Sequence, residues 1–274
     1  MTAAAAPSAG FLEGEDEALC RRFLEEGHVV LPVADRGELD LLRGRLAALA
    51  AGHLGVPRPA PADAGGFLDA IHTLVDPARL NALRLACIQG LNAEPWLRPL
   101  YYRLARPALE VLVGNELAMQ RRLNLSIQLP DDAGSLLPVH TDTWSGDSPF
   151  EVVVWLPLVD CSGSKSMFLV PPAVDAPIQA GMARLRSAAE LDAVIRPHAV
   201  ELTVPYGSVL VFSQNLMHGN RVNREAESRW SMNGRFKSLM SPYADKALGE
   251  FFEPITLRPA TRLGMLYQLP EGFS

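Results

Sequence analysis

A histidine and an aspartate two positions apart are the first residues in the sequence whose spacing suggests chemistry. They are His140 and Asp142, in the run Pro-Val-His-Thr-Asp-Thr-Trp. Residues i and i+2 of a strand point to the same side, so this imidazole and this carboxylate can bind one ion together. Nitrogen and carboxylate-oxygen ligands suit Fe(II), Mn(II) or Zn(II) and disfavour Cu(I). Because such a pair often arises by chance, it indicates a metal site only if the sequence offers a third ligand.

His218 is the residue that can complete a metal site. It follows a Val- and Leu-rich strand candidate at 208–212 and precedes a Gly-Asn turn. Two histidines and one carboxylate on one side of a metal leave three positions open, as a non-haem Fe(II) site requires for a bidentate cosubstrate and O2. The sequence therefore predicts a metal site made of His140, Asp142 and His218. The other histidines have no second potential metal ligand at a spacing that would let both bind one ion. They are interpreted as structural: His28, His53, His72 and His198.

A strand candidate beyond His218 has arginine on one of its faces. With period two, its apolar face holds Trp230, Met232 and Phe236, and its polar face holds Arg229, Ser231, Asn233 and Arg235. A guanidinium is a rigid fork that matches a carboxylate, and a neighbouring hydroxyl adds a hydrogen bond. Arg229 and Ser231 are therefore predicted to bind the far carboxylate of 2-oxoglutarate. The alternative is that Arg229 is a surface residue on an edge strand.

Three further residues are candidates for substrate binding: Trp144, Asp147 and Arg235. A Trp and an acidic residue directly after the metal ligands suit a polyhydroxylated substrate, with ring stacking and a bidentate acceptor. Trp144 is equally interpretable as a core residue. The role of Arg235 stays open between supporting the site, meeting an acidic substrate, and pairing with Asp245 or Glu250.

One more polar face leads toward the metal ligands. Asn124, Ser126 and Gln128 alternate with apolar residues in the strand candidate 123–129. If this face is the barrel interior, Asn124 and Gln128 are candidates for binding 2-oxoglutarate or substrate. The alternative is that the face is solvated. Phe150 and Trp155, on a Val-rich strand candidate, are interpreted as core residues.

The elements that must position these residues change character along the chain. Residues 15–116 are patterned as helices, with one short β-branched run at 28–33. Residues 117–240 contain short strand candidates separated by Gly, Pro, Asn and Asp. This pattern predicts a mainly β fold with a helical annex, in which the strands form an antiparallel barrel or jelly roll. An insertion at 173–196 is predicted to act as a lid over the mouth of the site.

Composition bounds the classes of function. The 274 residues are 48% hydrophobic and carry a net charge of -6, with no basic run of the kind that binds nucleic acid. We expect a flexible tail at 1–14, a single domain at 15–274, and a C-terminal extension at 241–274. Three cysteines without close pairing favour a reducing, cytoplasmic location. No apolar run approaches the roughly 18 residues that span a bilayer.

The segment from about Leu123 to Lys237 resembles the Fe(II)/2-oxoglutarate dioxygenase superfamily, on its phytanoyl-hydroxylase-like side. The matching residues are His140-x-Asp142, His218, and Arg229 with Ser231. The stretch from His140 to Asp160 looks like that of oxygenases found sporadically in carbohydrate-biosynthesis clusters.

The resemblance implies a double-stranded β-helix preceded by N-terminal helices. It also implies Fe(II), with 2-oxoglutarate and O2 as cosubstrates and succinate and CO2 as products. Halogenases of the superfamily have a small residue where this chain has Asp142, so the resemblance favours hydroxylation of a small polar molecule, such as a sugar or glycan precursor. Two rivals remain open, a cupin-like metal-dependent isomerase or epimerase and a non-catalytic sugar-binding jelly roll. Neither the substrate nor the oligomeric state follows from the sequence.

Overall fold

The computed structural model describes residues 11–12 and 14–272, with most helices in the first half and most strands in the second. The helices are α1 (Gly14–Glu26), α2 (Arg36–Leu54), α3 (Ala64–Asp69), α4 (Pro77–Asn92), α5 (Leu97–Leu112), α6 (Pro172–Gly181), α7 (Ala188–Ile195) and α8 (Pro259–Leu266). The strands are β1 (His28–Pro32), β2 (Leu117–Gln120), β3 (Asn124–Gln128), β4 (Glu151–Pro157), β5 (Met167–Leu169), β6 (Val200–Glu201), β7 (Ser208–Ser213), β8 (His218–Asn220), β9 (Arg229–Ser238) and β10 (Phe252–Pro254). The expected tail at 1–14 lies outside the described residues, apart from positions 11, 12 and 14.

The strands form two antiparallel sheets, as the alternating pattern of the second half predicts. The larger sheet has the order β1-β7-β4-β9-β2-β10, and β3 also pairs with β9. The smaller sheet has the order β6-β5-β8. Strand β9 occupies the centre of the larger sheet, with β4 along one edge and β3 and β2 following each other along the opposite edge. This central position fixes the direction in which each β9 side chain points.

Helices cover one face of the larger sheet and share its core. In α5 the apolar residues recur every three or four positions, and this stripe is buried against the strands. Tyr101, at its centre, donates a hydrogen bond from Oη to the carbonyls of Val154 at 2.9 Å and Met232 at 3.2 Å. The same hydroxyl therefore joins α5 to β4 and β9. Asp35 and Asp76 cap the starts of α2 and α4 by accepting backbone N–H bonds.

The insertion between β5 and β6 forms α6 and α7, and the lid role expected for it stays a prediction. Leu191 and Ile195 of α7 pack against Val170 and Met217 behind the smaller sheet. Asp175 of α6 accepts a hydrogen bond from the Met217 backbone N–H at 2.7 Å. The insertion therefore lies behind the turn that leads to His218, and none of its residues lines the cavity described below.

Several elements differ from the sequence-based expectation because they are short or depend on distant partners. Strands β2, β8 and β10 were not anticipated, since three or four residues are too few to show a period. The interpretation of Phe150 as a core residue is wrong, because this residue lies just before β4 with 54% of its surface exposed. Among the described residues, no helix is long and apolar enough to cross a bilayer.

Candidate metal centre

Three side chains converge at one end of the sheets, and they are the three that the sequence predicts. His140 and His218 form an antiparallel bridge, in which each backbone N–H donates to the other's carbonyl at 3.1 and 2.9 Å. Asp142 begins a short 3-10 turn directly after this bridge. One potential ligand atom from each residue lies within 4.8 Å of the other two. The predicted grouping of His140, Asp142 and His218 is confirmed, and its donor set fits Fe(II).

Local hydrogen bonds leave one nitrogen of each imidazole available. His140 Nδ1 lies 2.7 Å from the Pro138 carbonyl, and His218 Nδ1 lies 2.8 Å from the Leu216 carbonyl. A carbonyl can only accept, so Nδ1 carries the proton and Nε2 keeps its lone pair. Burial lowers the pKa of His218 to about 4, against the opposing effect of the Asp142 charge. His218 is therefore neutral near pH 7, as a metal ligand must be.

Asp142 is held in place by a chain of charged groups. Arg235 Nη2 lies 2.8 Å from Asp142 Oδ1, and Arg235 Nε lies 3.2 Å from Asp147 Oδ1. Lys246 in turn pairs with Asp147. Of the three roles left open for Arg235, pairing with Asp245 or Glu250 is therefore not the one observed, because Asp142 and Asp147 engage it instead. Asp147, expected as an open acceptor for substrate hydroxyls, is buried between two cations.

Arg229 is buried in the same cavity without a carboxylate partner in the described part of the chain. Its Nη2 donates to Ser126 Oγ at 3.0 Å, whereas its Nε has no hydrogen-bond partner there. Ser231 Oγ is also buried and unpartnered within the described residues. Burial lowers the pKa of Arg229, because the guanidinium loses its water. A buried cation next to an unused hydroxyl is a receptor for an anion, so the surface alternative for Arg229 is wrong.

The polar face of β3 points toward this anion receptor. Asn124, Ser126 and Gln128 lie opposite Asn233, Ser231 and Arg229 of β9. Asn124 and Ser126 line the cavity, and Asn124 Nδ2 donates to Asn233 Oδ1 at 2.9 Å. Along this face the burial increases from the exposed Asn124 through the half-buried Ser126 to the buried Gln128. Gln128 is fully buried and donates to the Arg221 carbonyl, and its Oε1 is unpartnered in the described structure.

A cavity of about 370 Å³ is lined by the three ligand residues and by Arg229. Its apolar wall includes Trp155, Met167 and Phe212, and its polar wall includes Asn233 and Lys246. Trp144 is not among the lining residues and has 43% of its surface exposed, so its interpretation as a core residue is wrong. The cavity therefore combines polar groups of β3 and β9 with apolar side chains of β4, β5 and β7.

Comparison with known proteins gives matches to solved structures only. No family model matches the sequence, and no curated protein matches it. HygX from Streptomyces hygroscopicus, with nickel and 2-oxoglutarate bound, is 18% identical over 85% of this chain and 89% of its own, with a TM-score of 0.55. EctD from S. alaskensis, with bound Fe, is 17% identical over 87% of this chain and 81% of its own, with a TM-score of 0.51. The non-haem monooxygenase ThoJ, in complex with Ni, is 17% identical over 82% of this chain and 79% of its own, with a TM-score of 0.51.

The chain has the fold of the non-haem oxygenases. The resemblance that the sequence indicates is thus confirmed at the level of the fold. At these identities the likeness does not assign roles to individual residues, which depend on the geometry of the cavity.

Several residues of the site were not predicted from the sequence, among them Lys246 and Trp155. Lys246 comes from the C-terminal extension, in the segment before β10, which pairs with β2. Trp155 was assigned to the core, and it is 5% exposed while also lining the cavity. Period-two alternation on β4 places Trp155 on the same side as Val153, which also lines the cavity, and this signal could have identified it.

Proposed function

We propose that the chain is an Fe(II)- and 2-oxoglutarate-dependent dioxygenase. The observation that carries the proposal is the presence, in one cavity, of a two-histidine, one-carboxylate group and a buried arginine without a carboxylate partner among the described residues. The first is a binding group for Fe(II), and the second is a receptor for the far carboxylate of a dicarboxylic cosubstrate.

Each residue has a distinct role in this proposal. The Nε2 atoms of His140 and His218 and the carboxylate of Asp142 hold Fe(II). Arg229 and Ser231 bind the distal carboxylate of 2-oxoglutarate, and Asn124 and Gln128 border that subsite. When bound, iron and 2-oxoglutarate supply the oxidising chemistry, in which 2-oxoglutarate and O2 are converted to succinate and CO2 as substrate is hydroxylated.

The chain's own contribution is to position these groups and to exclude water. The Pro138 and Leu216 carbonyls orient the imidazoles through Nδ1. Arg235 fixes Asp142 from the β9 side. Because Arg229 has only 5% of its surface exposed, its attraction for a carboxylate is weakly screened by solvent.

The substrate that fits the cavity best is a small polar molecule such as a sugar or glycan precursor. Amide and hydroxyl groups on the β3–β9 side offer both donors and acceptors to substrate hydroxyls. Trp144 is exposed next to the ligand-bearing turn and can cover an apolar sugar face. We further infer that the two sheets form a double-stranded β-helix and that residues 15–274 are one domain, since β1 and β10 from its two ends both join the larger sheet.

The test is metal-dependent consumption of 2-oxoglutarate by the wild-type chain and by His140→Ala, Asp142→Ala and His218→Ala. Each variant should lose Fe(II)-dependent consumption, because two remaining ligands hold the metal too weakly. Near-normal consumption by any of the three would remove that residue from the metal site. A cupin-like isomerase or a sugar-binding jelly roll would consume no 2-oxoglutarate even in the wild-type chain.

A further inference from the structure

The cavity is too small to enclose a large substrate together with the metal and its cosubstrate. Its volume of about 370 Å³ is near the lower end of the range of roughly 300–1,000 Å³ that is typical of small-molecule sites. Only the reacting part of a larger substrate therefore fits beside 2-oxoglutarate. The remainder has to lie on a surface that is continuous with the cavity.

A groove of about 1150 Å³ adjoins the cavity at β3. Asn124 lines both spaces. Gln120 connects them a second time, because it lines the groove while its Oε1 accepts a hydrogen bond from the Arg235 backbone N–H at 3.1 Å. A substrate that reaches the metal past Asn124 thus extends directly into this groove.

The groove is cationic in a chain whose net charge is negative. Four arginines and two glutamates line it, an excess of two positive charges, whereas the whole chain carries -6: Arg84, Arg98, Arg121, Arg122, Glu250 and Glu253. Arg98 and Arg121 share the single carboxylate of Glu253, at 2.5 and 2.9 Å. Two arginines paired with one carboxylate retain a positive charge between them.

The other two arginines have no carboxylate partner in the described part of the chain, and they come from different walls. Arg84 lies on α4 and donates only to Asn81 Oδ1, at 2.7 Å. Arg122 lies in the turn between β2 and β3. An anion between these walls would meet guanidinium groups from both sides, which is the geometry that suits a phosphate group with several acceptor oxygens.

We propose that this groove binds a phosphate or diphosphate group on the distal part of the substrate. The proposal rests on the proposed function and names the class of substrate that the site accepts. Arg122 is four residues from Ser126, which contacts Arg229, so the chain limits the separation of these positions to about 14 Å. A phosphorylated or nucleotide-linked small molecule can span a separation of this order, with its phosphate in the groove and its reacting end in the cavity.

The first test is calorimetric titration of inorganic pyrophosphate into the full-length chain without added metal or 2-oxoglutarate. Wild type should bind it, and Arg84→Gln and Arg122→Gln should each weaken binding by about three- to tenfold, as expected for partly exposed charge-assisted contacts. Arg186→Gln, an exposed arginine before α7 and outside the groove, is the matched control and should bind like wild type. No binding to wild type, or equal weakening by the control, would overturn the proposal.

A second titration separates substrate phosphate from a free anion. A nucleoside diphosphate sugar should bind the chain loaded with Ni(II) and 2-oxoglutarate more tightly than pyrophosphate does, and the free sugar should bind far more weakly. Binding of the sugar nucleotide no tighter than pyrophosphate would mean that the groove serves a free anion, and the substrate proposal would be wrong. Neither titration depends on turnover, so a failure of the proposed oxygenase activity would be seen separately.

Discussion

At the scale of single residues, the two arginines of β9 differ in how their charge is compensated. Arg235 is engaged by Asp142 and Asp147, whereas Arg229 has hydroxyl and carbonyl neighbours and no carboxylate among the described residues. A bound carboxylate is stabilised most by a cation whose charge is not already compensated by another carboxylate. The sequence shows both arginines on one strand face, and only the folded arrangement of Asp142 and Asp147 distinguishes them.

We predict that Arg229→Ala weakens 2-oxoglutarate binding while Ni(II) binding is unchanged. Loss of a buried charge-assisted contact costs about 2–5 kcal/mol, or roughly 30- to several-thousand-fold in affinity. The measurement is calorimetry of 2-oxoglutarate with the Ni(II)-loaded chain, and Arg186→Ala is the surface control. Unchanged affinity in Arg229→Ala would assign the anchor to another residue.

Asp147 was recognised as a candidate residue of the site, but its ion pairs were not predicted. It lines the cavity, is 3% exposed, and its carboxylate pairs with both Arg235 and Lys246. The sequence does not show this arrangement, because Arg235 and Lys246 are remote in the chain.

We predict that Asp147→Ala lowers the free energy of unfolding by about 2–4 kcal/mol, because the half-buried cations of Arg235 and Lys246 both lose the buried carboxylate that they pair with. Asp192→Ala, which breaks an exposed pair with Arg196 on α7, should cost no more than about 1 kcal/mol. Denaturant unfolding of both variants measures the difference. Equal, small effects would show that Asp147 is an open substrate contact and that its ion pairs contribute little.

At the scale of elements, strands β4 and β9 bring charged residues into the core of the larger sheet. Glu151 of β4 lies opposite Lys237 of β9, and both are buried. Lys237 donates to the Pro242 carbonyl and lies over the Tyr243 ring, so it does not bond to Glu151. Burial, reinforced by the nearby Asp147 charge, raises the pKa of Glu151 to about 7.

This shift predicts a pH-dependent stability. The folded chain holds the Glu151 proton more tightly than the unfolded chain does. The contribution of this carboxyl to the free energy of unfolding is therefore greatest below about pH 4.5 and is lost as the pH rises through about 7. Glu151→Gln removes the ionisation. The free energy of unfolding of the variant minus that of wild type should increase by on the order of 2 kcal/mol from about pH 5 to about pH 8. Urea unfolding at the two pH values tests this, with Glu190→Gln as an exposed control, and a pH-independent difference would contradict it.

Long elements with a clear local pattern were predicted from the sequence, and short elements that depend on distant partners were not. Strand β9, Arg229–Ser238, contains all the residues that the alternating pattern predicts for it, because a long run of clear alternation leaves little ambiguity. Strand β8 has three residues and exists because His218 pairs with Leu169 and bridges His140. Its partners are distant in the chain, so no local pattern could reveal it. The α6–α7 insertion was recognised as a unit, and its place behind the sheet depended on packing against Met217.

At the scale of the whole molecule, two sheets bring together ligands that lie far apart in the chain. His140 and Asp142 precede β4, and His218 begins β8. The order of residue types predicted the metal group, because H-x-D and a later histidine are enough to define three ligands. The cationic groove was not predicted, since its walls come from α4, the β2–β3 turn and the segment before β10.

The most direct test of the account is an anaerobic titration of the full-length chain with Fe(II) and 2-oxoglutarate, followed by visible absorption. We predict a weak charge-transfer band that requires both components, saturates at about one equivalent of iron per chain, and is lost in His218→Ala. Exclusion of O2 keeps the complex from turning over while the spectrum is recorded. Iron binding without any such band on addition of 2-oxoglutarate, or a band that persists in His218→Ala, would contradict the central claim.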